Sequence, residues 1–88
     1  MSSGSRYLVR IKQSAEKEMD RLPAVTLRRV SAALLSLENN PRPRGYRKLQ
    51  GLELYRIRVG DYRVLYTIAD ETRLVEIIAV GHRRDVYG

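Results

Sequence analysis

Arg56, Arg58 and Arg63 lie within LYRIRVGDYRVLY, Leu54 to Tyr66, a stretch that otherwise reads as a β-hairpin. A guanidinium keeps its charge and presents a planar fork of donors matched to phosphate oxygens, so three of them together are suited to holding an anion rather than moving a proton. Gly60-Asp61 is a permissible two-residue turn, and it sets Val59 opposite Tyr62, Arg58 opposite Arg63, Ile57 opposite Val64 and Tyr55 opposite Tyr66. Strand residues alternate between faces, so Tyr55, Ile57, Val59, Tyr62, Val64 and Tyr66 form an apolar face and the three arginines share the other. Like charges directly across a strand pair cost roughly 0.2 to 1 kcal/mol, a penalty that a bound anion removes. The competing reading is that the long stems splay into water and the charges are screened.

These residues need a scaffold. RYLVRI, Arg6 to Ile11, alternates and is rich in β-formers, which predicts a first strand. Ser14 stands at an N-cap position ahead of Glu16 and Glu18, and Ala15, Met19 and Leu22 form the apolar stripe of a short helix. Pro23 suits the first turn of a second helix, in which Leu27, Val30, Leu34 and Leu37 recur at helical spacing. NNPRPRG, Asn39 to Gly45, ends it. After the hairpin, whose second strand runs to about Ile68, ADET turns the chain into RLVEIIAVG, a last strand apolar enough to lie inside the sheet. The predicted fold is α+β, strand-helix-helix-strand-strand-strand, with two helices on one face of a largely antiparallel four-stranded sheet. Helices on the tyrosine side leave the opposite face to the arginines. MSSGS, residues 1–5, reads as a disordered leader, and residues 6–88 as a single domain.

The whole chain of 88 residues carries 17 Lys and Arg against 10 Asp and Glu, a net charge of +7 that favours polyanions, nucleic acid before membrane. Only Lys12, Lys17 and Lys48 are lysines. An arginine-rich basic set suits bidentate phosphate contacts, although a GC-rich genome produces the same bias. No apolar run approaches the ~20 residues of a membrane span, and neither helix has a basic face with bulky aromatics, so no membrane partner and a cytoplasmic location are expected. Without cysteine and with a single histidine, a metal site or a thiolate nucleophile is not expected, nor is a cofactor.

The strand-helix-helix start, NPRPRGYRKLQG before the hairpin, YRIRVGDYRVLY within it and VGHRRDVY at the end, taken in this order, resemble the RelE/ParE toxin superfamily and most closely its RelE branch, from about Tyr7 to Tyr87. The resemblance implies a toxin of a type II toxin-antitoxin system, a metal-independent endoribonuclease that cleaves messenger RNA in the ribosomal A site, with the ribosome, mRNA and a cognate antitoxin protein as partners. It carries the family's basic pair onto Arg56 and Arg58, catalytic positions onto Arg63, Arg83 and Tyr87, and leaves His82 where some relatives have lysine. The best-known members have lysines at the positions of Arg56 and Arg58, and a C-terminal helix of some members has no counterpart before Gly88. Arg47 and Lys48 are either phosphate contacts or solubilising charges. The phosphate- and RNA-binding set is thus Lys48, Arg56, Arg58 and His82.

Cleavage by the neighbouring 2′-hydroxyl needs a base, charge stabilisation of a pentacoordinate phosphate and help for the departing 5′ oxygen. Arginines supply the second. By resemblance Tyr87 ranks ahead of His82 as base, although a phenol titrates near 10 and an imidazole near 6.5, and Arg83 takes the transition-state or leaving-group role. So modest an acid-base set fits a toxin that cuts only when the ribosome positions its substrate. Two other functions use the same features: a ParE-like inhibitor of DNA gyrase without RNA cleavage, and a non-catalytic basic module whose binding depends steeply on salt.

Overall fold

A computed structural model of the chain describes residues 6–82. The elements run β1 (Leu8–Ile11), α1 (Gln13–Met19), α2 (Ala24–Ser36), β2 (Arg47–Lys48), β3 (Tyr55–Val59), β4 (Tyr62–Ala69) and β5 (Leu74–His82). They form one sheet in the order β1-β5-β4-β3-β2, in which β1 runs parallel to β5 and every other pair is antiparallel. The α+β class and element order agree with the sequence reading, but the sheet has five strands rather than four. The additional strand, β2, is a two-residue ladder against Tyr55 and Arg56, too short to produce any periodicity.

The hairpin register is the one the turn dictates, from Val59 opposite Tyr62 to Tyr55 opposite Tyr66. Gly60 has φ +62 while Asp61 keeps a negative φ, the signature of a type II′ turn with glycine at its first central position. Both helices cover the tyrosine face. Ala15 and Met19 of α1, Val30 and Leu34 of α2, and Leu37 just beyond it pack against Tyr55, Ile57, Val64, Tyr66, Val75, Ile77 and Val80.

Two helix starts differ from expectation by one or two residues, and for a local reason. The Lys12 N–H donates to the Ile77 carbonyl at 3.0 Å, so β1 holds the chain extended through Lys12, and α1 begins at once at Gln13 with Ser14 already inside it. Pro23 is extended and precedes α2 rather than lying in its first turn, and its carbonyl accepts the Leu27 N–H at 2.8 Å. β1 starts at Leu8 rather than Arg6. Tyr7 is drawn toward the end of α2 instead, its N–H donating to the Glu38 carbonyl.

One irregularity in β5 matters for function. Tyr66 pairs with Ile77 and Leu65 with Ala79, so Ile78 is an extra residue bulged out of the ladder. Simple alternation from Val75 and Ile77 would turn Val80 and His82 away from the helices. The bulge resets the parity, and Val80 packs in the core.

Candidate functional site

Cross-strand pairing assembles four arginines on the face opposite the helices. Arg58 lies directly across from Arg63, and Arg47 of β2 lies directly across from Arg56. Side chains paired in this way stand about 4.5 to 5.5 Å apart at Cβ, close enough for four guanidinium groups to converge on one anion or on neighbouring phosphates. Next to them, β5 presents Gly81 opposite Arg63 and Ala79 opposite Leu65.

The four differ in exposure. Arg47 and Arg58 are exposed and Arg63 is half-buried, whereas Arg56 retains only 9% of its accessible surface. Its Nε is covered and has no hydrogen-bond partner among the described residues. Burial, followed by the fields of Arg63, Arg58 and Arg47, lowers the Arg56 pKa. An arginine so perturbed still carries its charge at neutral pH, and the cost falls on the fold. Among the described residues none of the four forms an ion pair, although salt bridges join Arg6 to Glu38, Arg10 to Glu76, Arg42 to Asp70 and Lys48 to Glu53. Cations crowded together without carboxylates, one of them with an unsatisfied buried donor, make a surface preorganised for a polyanion. Such a surface is chemically able to bind and stabilise negative charge, and its guanidinium groups accept no proton.

Two of the sequence-derived candidates do not join this face. Lys48 lies opposite Tyr55, on the tyrosine side, and its Nζ is 3.4 Å from a Glu53 carboxylate oxygen. The basic residue that β2 contributes to the arginine face is Arg47. His82 lies opposite Tyr62, with the rings edge-on and their centroids 5.5 Å apart, and it borders a cavity of about 430 Å³ with Glu18 and Arg21. The β5 bulge accounts for this placement. Arg83 and Tyr87 lie outside the described residues.

A second polar assembly, unanticipated from sequence, anchors the loop leading to Arg47. Arg42 forms a bidentate pair with Asp70, at 3.2 and 2.9 Å, while the Tyr7 hydroxyl donates to the same carboxylate at 2.7 Å. These contacts hold the Asp70 carboxyl down at about 2 and push the Tyr7 phenol up, in each case chiefly through the shared hydrogen bonds. One residue earlier, the Pro41 carbonyl accepts the Tyr66 hydroxyl at 2.7 Å, and burial raises that phenol's pKa. Arg42 also stacks over the Tyr55 ring at 5.5 Å from its centroid. The partners are separated by 25 to 63 residues, so no local pattern announces them.

Residues 9–87 match the family model described as ParE toxin of type II toxin-antitoxin system, parDE. The chain belongs to the RelE/ParE toxin superfamily. The toxin is 37% identical to Toxin RelE of Mycobacterium tuberculosis, over 99% of this chain and 92% of that one. Its fold superposes on the toxin of the archaeal RelE-RelB complex from Pyrococcus horikoshii with a TM-score of 0.82 and 32% identity, over 92% of this chain and 99% of that one. Against the toxin-antitoxin complex RelBE2 of M. tuberculosis the TM-score is 0.80, with 32% identity over 89% of this chain and 99% of that chain. It is a RelE-family toxin by sequence and by fold.

Proposed function

We propose that this toxin is a ribosome-dependent endoribonuclease that cleaves mRNA in the A site by attack of a 2′-hydroxyl on the adjacent phosphate. The observation that carries the proposal is the unneutralised arginine face, with Arg56 sunk into it and its Nε unsatisfied. In this reading Arg47, Arg56 and Arg58 grip the phosphodiester, and Arg63 stabilises charge on the equatorial oxygens as the phosphorus becomes pentacoordinate. The guanidinium groups do not act as bases. The resemblance assigns that role to Tyr87 and assigns Arg83 to the departing 5′ oxygen. Both are proposals about residues outside the described part of the chain. With no strong base among the described residues of the arginine face, the ribosome must supply alignment, which can be worth several kcal/mol.

The physiological partner is a RelB-like antitoxin, a reading supported by the complexes in which the similar toxins are found. Neutralisation follows if the antitoxin covers the arginine face or supplies carboxylates to it. A location in the cytoplasm follows from the ribosomal substrate, and among the described residues no helix is long and apolar enough to cross a membrane.

The family model is named for ParE, which keeps a second reading in play: inhibition of DNA gyrase without RNA cleavage. Purified toxin mixed with programmed ribosomes, with mRNA ends mapped by primer extension, separates the two. A-site cuts that need ribosomes and fall sharply in Arg63→Gln support cleavage. Intact mRNA together with blocked gyrase supercoiling supports the second reading.

A further inference from the structure

β2 covers only the first two residues of β3, so among the described residues no strand neighbours the outer edge of β3 from Ile57 to Val59. Beside this free edge lies a groove of about 450 Å³, walled by Ala33 and Ser36 of α2 and by Pro43 of the following loop, with Ile57 at its base. Arg44, Arg47 and Arg58 stand around it. Gly45, at φ +90, makes the turn that places Arg44 at the rim, and the Arg42-Asp70 pair fixes the loop from which it projects. Among the described residues none of these three arginines forms an ion pair.

Arg47 and Arg58 belong to the arginine face by strand register and also line this groove. The groove therefore continues the phosphate-binding surface around the sheet edge. Its volume falls within the range of roughly 300 to 1,000 Å³ typical of ligand pockets, enough for one nucleotide. Its chemistry is that of a single-strand RNA site, with an apolar base, guanidinium planes on which a nucleobase stacks and charges for the flanking phosphates. The Ser36 hydroxyl donates to the Ala33 carbonyl at 2.7 Å, which leaves its oxygen lone pairs to accept from a base amino group.

We propose that this groove binds a nucleotide beyond the two that flank the scissile phosphate, holding single-stranded RNA through Arg44 and through Arg47 and Arg58 shared with the arginine face. The proposal rests on the ribonuclease reading, and it assigns to Arg44, remote from the reacting phosphate, a role in gripping and selecting the RNA.

The test uses fluorescein-labelled 2′-O-methyl oligoadenylates of two and six nucleotides, which cannot undergo 2′-hydroxyl attack. Anisotropy is read for the parent, for Arg44→Gln and for Ala33→Glu, each first checked for a parental circular dichroism spectrum. Both variants are expected to weaken the hexanucleotide about fivefold or more while the dinucleotide changes less than about twofold. In Arg44→Gln the slope of log affinity against log salt for the hexanucleotide should fall by about 0.7, the signature of one lost phosphate contact. Unchanged hexanucleotide affinity and slope in Arg44→Gln, whose exposed side chain is not needed for folding, overturn the groove proposal. So does a hexaglutamate peptide that binds in an Arg44-dependent way while the hexanucleotide does not, which would make the groove a site for an acidic protein segment. The ribonuclease reading fails separately, by an absence of cuts on programmed ribosomes.

Discussion

Replacing Arg56 with methionine should make the free toxin more stable and less active. Methionine keeps most of the unbranched stem that β3 buries while removing the guanidinium. In the parent that group lies across from Arg47 and on the same face as Arg58 and Arg63. The directly opposed like pair costs roughly 0.2 to 1 kcal/mol, and its neighbours add less. The covered Nε, without a partner among the described residues, adds a desolvation cost of about 1 to 3 kcal/mol, taken at the lower end because among those residues it is the one atom of the guanidinium both buried and unpartnered. The expected gain is about 1 to 2 kcal/mol. For a domain of this size each kcal/mol shifts Tm by about 4 to 8 °C, so calorimetry should show a rise of roughly 5 to 15 °C. The repulsive part is screened, so the gain should shrink between low and high salt. A variant less stable than the parent by 0.5 kcal/mol or more, taken only as a rough threshold against typical surface effects, would refute the reasoning. It would mean that the Arg56 guanidinium contributes stability in the folded chain rather than being held at its expense.

Other outcomes follow from the same structure. Tyr66→Phe leaves the Pro41 carbonyl without its donor and should cost about 1 to 2 kcal/mol in urea titrations. Gly60→Ala must adopt φ +62, a conformation that strains an L side chain although its Cβ would meet Arg29 only at ordinary contact distance, and should lose roughly 1 to 2 kcal/mol. The Asp70 carboxyl is held at about 2, below its ordinary value, so its stabilising effect is complete above the ordinary carboxylate range and is lost as pH falls toward 2. The melting temperature of the parent should therefore drop across that window relative to Asp70→Asn, which lacks the titrating group. Purified toxin should leave naked RNA almost uncut over times in which ribosome-bound mRNA is consumed, as end mapping would show.

The hairpin was fully legible because a two-residue turn fixes register and alternation then fixes faces. Tyr55 and Tyr66 in the core and Arg58 across from Arg63 follow from Gly60 and Asp61 alone. Sheet positions without such a turn were not legible. Whether Arg47 or Lys48 reaches the arginine face depends on which of them pairs with Arg56, and two residues of β2 carry no pattern to show it. The side of the sheet on which His82 falls was not legible for a similar reason, since it entered the RNA-binding set by resemblance and not by strand parity. One extra residue at Ile78 inverts the parity of all that follows in β5, and in an unbroken apolar run such as VEIIAV nothing marks where a bulge falls. The Arg42-Asp70-Tyr7 assembly needs three segments brought together by the finished fold, so its members read in sequence as ordinary loop and strand-end residues.

The most direct test of the central claim is the rate of A-site cleavage on programmed ribosomes for single neutral replacements at Arg47, Arg56, Arg58 and Arg63, compared with Lys48→Gln and His82→Gln. If the arginine face grips and stabilises the reacting phosphate, replacement of Arg56, Arg58 or Arg63 should slow cleavage about a hundredfold or more, and that of Arg47 by less. The other two variants should cut at close to the parental rate. Parental cleavage by the Arg56, Arg58 and Arg63 variants, with a collapse in Lys48→Gln or His82→Gln, would contradict the account and move the reacting phosphate to the opposite face of the sheet.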